Sequence, residues 1–532
     1  MHIETPKPPA PSNSRPFRAA IKQLFWRVFS TLLIMYALLS IRYFVPSPKI
    51  KRNFCNEWNA VIDKIPIEDR AWPAYIKSLI AIGDTRIAAF DVPQKGEEDP
   101  ESVADWHAWL DANQDKLDAI RRAAELPNLG HRFSSRISDE HLDMMRITRG
   151  YMPEVTPPEV ENPLMLGVLL PHLGEIRMLA RLIAGDATHA MEHGDVTRFR
   201  NDIHALIGMG DQCFEEPTLI SQLVGLAIHS LAIERAKDGV LRADFMNESQ
   251  LAELDAELAR ITANGLMIDL ASERDMRLDL IQRFYSDDGE GGGHVVNSRE
   301  CSELFKDFGV QPPRAMILWH AFGPVRSVFM PTRRVLNEQL DAMVAAAKED
   351  QKLPMYRFAE RRAGRLLYDV DFYRLGVMEV MPFFESLVGG EENAIDAPFR
   401  SRDMTIMRCE VVRTLIAIHR ARAANGAWPA SLESLVPRYL DKVPMDQFDG
   451  APLRYKPAQG AEGLPLLYSV GVDGVDQGGS PAVTDEGRDD VRVAHLLRLF
   501  RGQGTPAPHE QRQMDRARYD WVIWPEPAPV SN

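Results

Sequence analysis

The sequence predicts a mainly α protein: one N-terminal transmembrane helix, a helical-hairpin region of bundle or solenoid type, and a small α+β module near the C-terminus. Three observations predict it. An unbroken apolar run lies near the N-terminus, apolar residues recur at helical spacing through most of 52–395, and strand-like and turn-forming patterns replace them after residue 400.

Residues 1–23 read as a disordered tail, proline-rich and polar over Met1–Arg15. Leu24–Val45 (LFWRVFSTLLIMYALLSIRYFV) is long enough, at 1.5 Å per residue, to cross a hydrocarbon core of about 30 Å. Arg27 and Arg42 stand near its ends, where they can snorkel, and Trp26 and Tyr43 are placed like interfacial aromatics. No small-residue cleavage site follows, so a retained anchor is expected rather than a removed signal peptide. Lys7, Arg15, Arg18, Lys22 and Arg27 slightly outweigh Arg42, Lys49, Lys51 and Arg52, which favours an N-in orientation. The expected location is the inner (cytoplasmic) membrane, single-pass, with the bulk of the chain periplasmic or extracytoplasmic.

The whole chain has 532 residues, 45 % of them apolar and 26 % charged, enough to bury cores in two to four domains. Its net charge of −14 repels phosphate backbones and excludes nucleic acid as an expected partner. Cys55, Cys213, Cys301 and Cys409 lie too far apart in sequence for a CxxC or finger-like metal motif and are expected as buried or unpaired thiols, with one or two disulfides as the alternative.

Within 52–395, helices are expected at Ser102–Leu126, Leu164–His193 (interrupted at Pro171), Val196–Cys213 capped by Asp195, Pro217–Val240, Ser249–Ile261 and on to Tyr285, then Thr332–Lys348 and Met355–Tyr368. Asp287–Gly293 (DDGEGGG) is a loop without the Lys-Ser/Thr pair or flanking strand of a phosphate cradle. His189, Glu192 and His193 match H-x-x-E-H, in which two histidines one turn apart bind zinc and the glutamate activates water. Glu215, Glu216 and Glu234 are available as a third ligand. The competing reading is a polar helix end, where histidines are favourable beside the negative pole of the helix dipole. No G-x-S-x-G elbow is present. The apolar stripe Leu219, Leu223, Leu226, Ile228 and Leu231 reads as core.

Residues 401–500 change character. Ile406–Ala424 is an amphipathic helix stopped by Asn425-Gly426; Leu432–Tyr439 is a short second helix; Leu453–Tyr455 and Leu467–Val470 are short strands; and 503–532 is a polar tail with Trp521 and Trp524. The series NGAWP, SLESLVPRYL, VPMD, GAPLRY, LYSVGVDG and GG resembles the soluble domain of the major pseudopilin of type II secretion. That resemblance implies a long helix on a small antiparallel sheet, and a calcium-binding loop formed by Asp473 and Asp476 with Asp485 and the carbonyl of Val470. An acidic turn without metal remains the alternative, since the glycines alone make the turn. The spacing between anchor and helix departs from the pseudopilin plan. The whole chain resembles membrane proteins of planctomycete-like bacteria, a resemblance that brings no activity with it.

Three functions follow as expectations: a membrane-anchored scaffold or assembly protein without catalysis and with protein partners in an envelope assembly, a zinc metallopeptidase using the H-x-x-E-H residues, or a ligand-sensing receptor with a polar cavity among the helical hairpins.

Overall fold

The computed structural model describes residues 15–83, 100–150, 161–297, 323–325, 327–361, 396–457, 463–471, 474–479 and 521–525. Two compact units partition the chain: residues 1–51, 280–338 and 372–382 form one, and the remainder the other.

The first unit is built on α1 (Arg15–Phe44), whose stretch Ala20–Phe44 is long and apolar enough to cross a membrane and leaves its most apolar part unburied, Tyr43 near its end being buried. Its last turn is not left with free carbonyls. The His294 ring Nε2 lies 2.9 Å from the Arg42 carbonyl oxygen, and the Asn297 amide donates to that of Tyr43 at 2.8 Å.

The second unit is a helical assembly around α7 (His172–Glu192), α8 (Val196–Phe214) and α9 (Leu219–Leu241), three consecutive helices packed side by side. Around them lie α2 (Phe54–Ile62), α3 (Ala71–Ile82), α4 (Pro100–Ala112), α5 (Gln114–Ala124), α6 (Asp139–Arg149) and α10 (Glu248–Ala263). Two further helices, α11 (Ala271–Phe284) and α12 (Arg333–Asp350), straddle the division between the units. Helix starts follow the residues that can accept orphan amides: Asp195 accepts from Arg198 N, Thr218 from Ser221 N, and Asn247 with Gln250 makes a full capping box. Helix α9 also passes the length and composition test for a membrane span, yet half of it is buried in the protein, with His229 and Gln222 in its core.

Two elements differ from the sequence expectation for local reasons. Ser102–Leu126 is two helices, because Asn113 between them turns its side-chain amide back onto the Trp109 carbonyl. The segment from Leu164 begins as a single 3-10 turn, and continuous helix starts only after Pro171.

The α8–α9 crossing is set by glycine. A Cβ on Gly225 would lie 2.7 Å from the Gly210 carbonyl and from the Phe214 amide; one on Gly210 would strike the His229 ring, and one on Gly208 the Ala124 carbonyl of α5. Backbones approach there because nothing stands between them.

Near the C-terminus, α13 (Asp396–Asn425) buries Val411, Leu415, Ile416 and Ile418 and ends at left-handed Gly426. It packs along α9 and α10, where Arg413 pairs with Asp255 at 2.7 Å. An antiparallel sheet follows, in the order β1 (Arg454–Lys456), β2 (Leu466–Ser469), β3 (Trp521–Trp524). The tail thus supplies a strand, and Trp524 stacks among Trp428 and His419 at ring distances of 5.1 and 5.3 Å. Leu432–Tyr439 shrinks to a 3-10 turn at Glu433–Leu435. Asp446 ties this part together: fully buried, it accepts from the amides of Val470 (2.9 Å) and Phe448 (3.0 Å) and from the Ser469 hydroxyl (3.0 Å). Asp446→Ala orphans these donors and is expected to cost about 2–4 kcal/mol, read as a lower denaturation midpoint with an unchanged slope.

Candidate metal centre beside a polar cleft

Trp72, in the first turn of α3, is the hub of a histidine cluster. Its ring centre lies 5.7 Å from His131, 5.6 Å from His141 and 5.8 Å from His172. The chain delivers these residues from three places. His131 sits on an extended segment clamped on both sides: the Ala71 and Trp72 amides donate to the Asn128 and Leu129 carbonyls at 2.8 Å, and Asn59 of α2 holds the Phe133 amide and carbonyl, each at 2.8 Å. Gly130 allows this approach, with φ of +71° and Arg70 where a Cβ would stand. His172 opens α7, and His141 lies in the first turn of α6 under the Ser138 cap.

Glu216 comes from the turn between α8 and α9. Its Oε2 is 3.0 Å from Nε2 of His172, and the His172 ring stacks on His131 with centroids 3.6 Å apart. One donor atom each from His131, His172 and Glu216 fall within 4.8 Å of one another, and all three residues are buried. A second carboxylate, Glu175 of α7, accepts from Arg149 at 2.6 Å and lies 3.7 Å from His141 Nε2.

The His131 pKa is pushed well below the usual imidazole range, first by burial, then by the neighbouring His172 and His141. A neutral imidazole is the form that ligates metal. Several polar atoms here have no hydrogen-bond partner among the described residues: Nδ1 of His131, His141 and His172, Nε2 of His141, and Oε2 of Glu175. Each such buried orphan costs about 1–3 kcal/mol, which makes the cluster costly as it stands.

A cleft of about 830 Å³ reaches the cluster, with His131 and His141 in its wall together with Asn56, Arg132, Ser134 and Ser138. Two imidazoles and a carboxylate are the ligand set of three-coordinate zinc sites that keep a fourth position for water or substrate. A tetrahedral ion holds its donors about 3.3 Å apart, so binding would draw the donors together from their 4.8 Å spread and turn the His131 and His172 rings out of their 20° stack.

The H-x-x-E-H residues are placed otherwise. His189 is buried with Nε2 2.9 Å from Asp111, the His193 ring Nδ1 lies 2.9 Å from the His189 carbonyl oxygen, and Glu192 is exposed, 3.7 Å from His107. The three histidine rings adjoin, with His189 4.2 Å from His107 and 4.3 Å from His193, but no three donor atoms of this group converge as those of the other cluster do. Of the calcium set, Asp473 and Asp485 lie outside the described residues. Asp476 Oδ1 accepts from the Tyr468 hydroxyl at 3.1 Å and the Gly478 amide at 2.8 Å.

Sequence reasoning touched this centre only at Glu216, named as a possible partner of a different motif. The other two candidate ligands, His131 and His172, stand on either side of α6, so no local spacing joins them. The available signal was His172 and Glu175, polar residues one turn apart on the face that also carries Leu173, Ile176 and Leu179. No family model matches the chain, and no curated protein or solved structure matches it either.

Proposed function

We propose that this chain is a membrane-tethered metalloprotein that holds one divalent ion of the zinc class on His131, His172 and Glu216 and offers it to the cleft for hydrolytic chemistry. The observation that carries the reading is the convergence of three buried donors amid orphaned nitrogens. Three protein ligands leave a coordination position at which bound water becomes a nucleophile near neutral pH. Helix α1 serves as the single inner-membrane anchor, with the soluble part extracytoplasmic. Its length, composition and exposed side chains support the anchor.

The test is elemental analysis of the full chain, purified in detergent and dialysed after zinc loading. About one zinc per chain is expected. Glu216→Gln and His131→Ala should lose it, while His189→Ala should keep it. Retention in the first two and loss in the third would move the metal to the H-x-x-E-H residues. No retained zinc in the native chain would end the proposal.

The C-terminal part supports a second role alongside the first, as an assembly module of pseudopilin type in an envelope assembly. The feature that favours it is the long helix followed by an antiparallel sheet, with the V-P-x-D aspartate bonded to the strand end at Val470.

A further inference from the structure

Among the described residues, Phe329 is the most exposed large apolar side chain, at 83 %. Val325 and Val328 are exposed beside it, and the residues around them, 323–325 and 327–329, are helical. Isolated apolar side chains on a surface need no explanation, but this group is pinned to one level of the molecule.

The start of the segment touches the last turn of α1, and its end is fastened to the chain next to a residue that touches that turn. At its start, Gly323 lies so close to the Tyr43 ring that a Cβ would sit 2.6 Å from it. At its end, the Arg333 amide donates to the Gly293 carbonyl at 3.2 Å. Gly293 precedes His294, whose ring lies 2.9 Å from the Arg42 carbonyl oxygen, and Asn297 holds Tyr43. Ten residues separate the two fastenings (333 − 323), and part of that stretch is wound into helix, so it cannot travel far from the Arg42–Tyr43 level. Arg42, Lys49 and Arg334 are exposed in the same unit.

We infer that Val325, Val328 and Phe329 form a second membrane contact, seated in the boundary between headgroups and acyl chains of the bilayer that α1 crosses. The occupant of this apolar face is lipid, because the segment that carries it starts against the last turn of the membrane helix. The inference rests on the reading of α1 as an anchor. It adds that the chain meets the bilayer through an interfacial element as well as a span, which fixes the tilt and rotation of the exit from the membrane.

The experiment uses the full chain in vesicles of phosphatidylethanolamine and phosphatidylglycerol. Bimane is attached at Phe329→Cys, in a Cys301→Ser background. Cys55, Cys213 and Cys409 are buried, with thiols pushed up by burial, Cys409 to about 12, and do not compete for the label. Parallel labels go on Val328→Cys and, as a control for the anchor, on Leu33→Cys. Phe329 and Val328 labels are expected to be quenched by nitroxide near the headgroup end of the lipid tail at least about twofold more than by aqueous iodide. A lipid-quenched label at Leu33 with iodide-quenched labels at 328 and 329 overturns the inference and leaves the anchor standing. Labels at 328 and 329 shielded from both quenchers overturn it in favour of a protein neighbour, such as a second copy. A label at Leu33 open to iodide overturns the anchor and the interfacial contact together.

Discussion

Zinc at a thousandfold excess over its dissociation constant is expected to stabilise the chain by about 4 kcal/mol, and His172→Ala to abolish that stabilisation. The magnitude follows from linkage alone: an ion that binds the folded cluster and not the unfolded chain adds its binding free energy to folding. His172 is the residue to change because it is fully buried, touches Glu216 at 3.0 Å and stacks on His131, so its loss removes one donor and releases two others. Without metal, the variant sheds an orphaned Nδ1 but leaves Glu216 without its partner and a small void, so it should also be destabilised in its own right, apart from its lost response to zinc. Thermal denaturation with and without zinc separates the two effects. An equal zinc-induced rise in both proteins would place the ion elsewhere.

Arg121→Ala is expected to cost about 3–5 kcal/mol. Arg121 of α5 holds two carboxylates with no exposure at all: Asp202 of α8, at 2.7 Å, and Asp186 of α7, which Arg198 also pairs. Arg198 in turn reaches Asp111 at 2.7 Å, so three carboxylates on three helices share two guanidinium groups. Removing Arg121 leaves Asp186 with Arg198 but strands Asp202 in the core. The Asp202 pKa is already raised well above the usual carboxylate range, first by burial and then by Asp186, with Arg121 pulling it down. The sign of the pH dependence follows. Without Arg121 the folded-state pKa rises further above the unfolded one, so this group favours folding below the unfolded pKa and loses that contribution as pH rises. The deficit of the variant should therefore widen from acid toward neutral pH. A deficit independent of pH would mean that lost packing, not a stranded carboxylate, dominates.

Helices were legible where their signals are local. Asp195 closes one helix and opens the next within a few residues, and Gly426 ends α13 by its conformation alone. The same logic failed at Asn113, whose side chain competes for a helical carbonyl, a choice that apolar periodicity does not register. Strand β3 was beyond reach because its pairing partner lies more than fifty residues upstream. The candidate metal cluster was illegible for a related reason. H-x-x-E-H is a pattern of one helix and presents itself to the eye, whereas His131, His172 and Glu216 meet only because Asn59 and Trp72 hold an extended segment against two helix ends.

The α8–α9 crossing bears on ancestry. Apolar core positions exchange with one another at modest cost, so a lineage can rewrite most of such a bundle without losing its fold. Gly210 and Gly225 cannot drift in this way, since any side chain there meets backbone or a buried ring. Descendants of this protein too diverged for overall similarity should still carry that glycine pair, with a histidine at the position of His229 and an Asp at that of Asp211, which pair at 2.9 Å beside it. Four residues at fixed separations, not the apolar pattern around them, are the signature by which distant kin would be found.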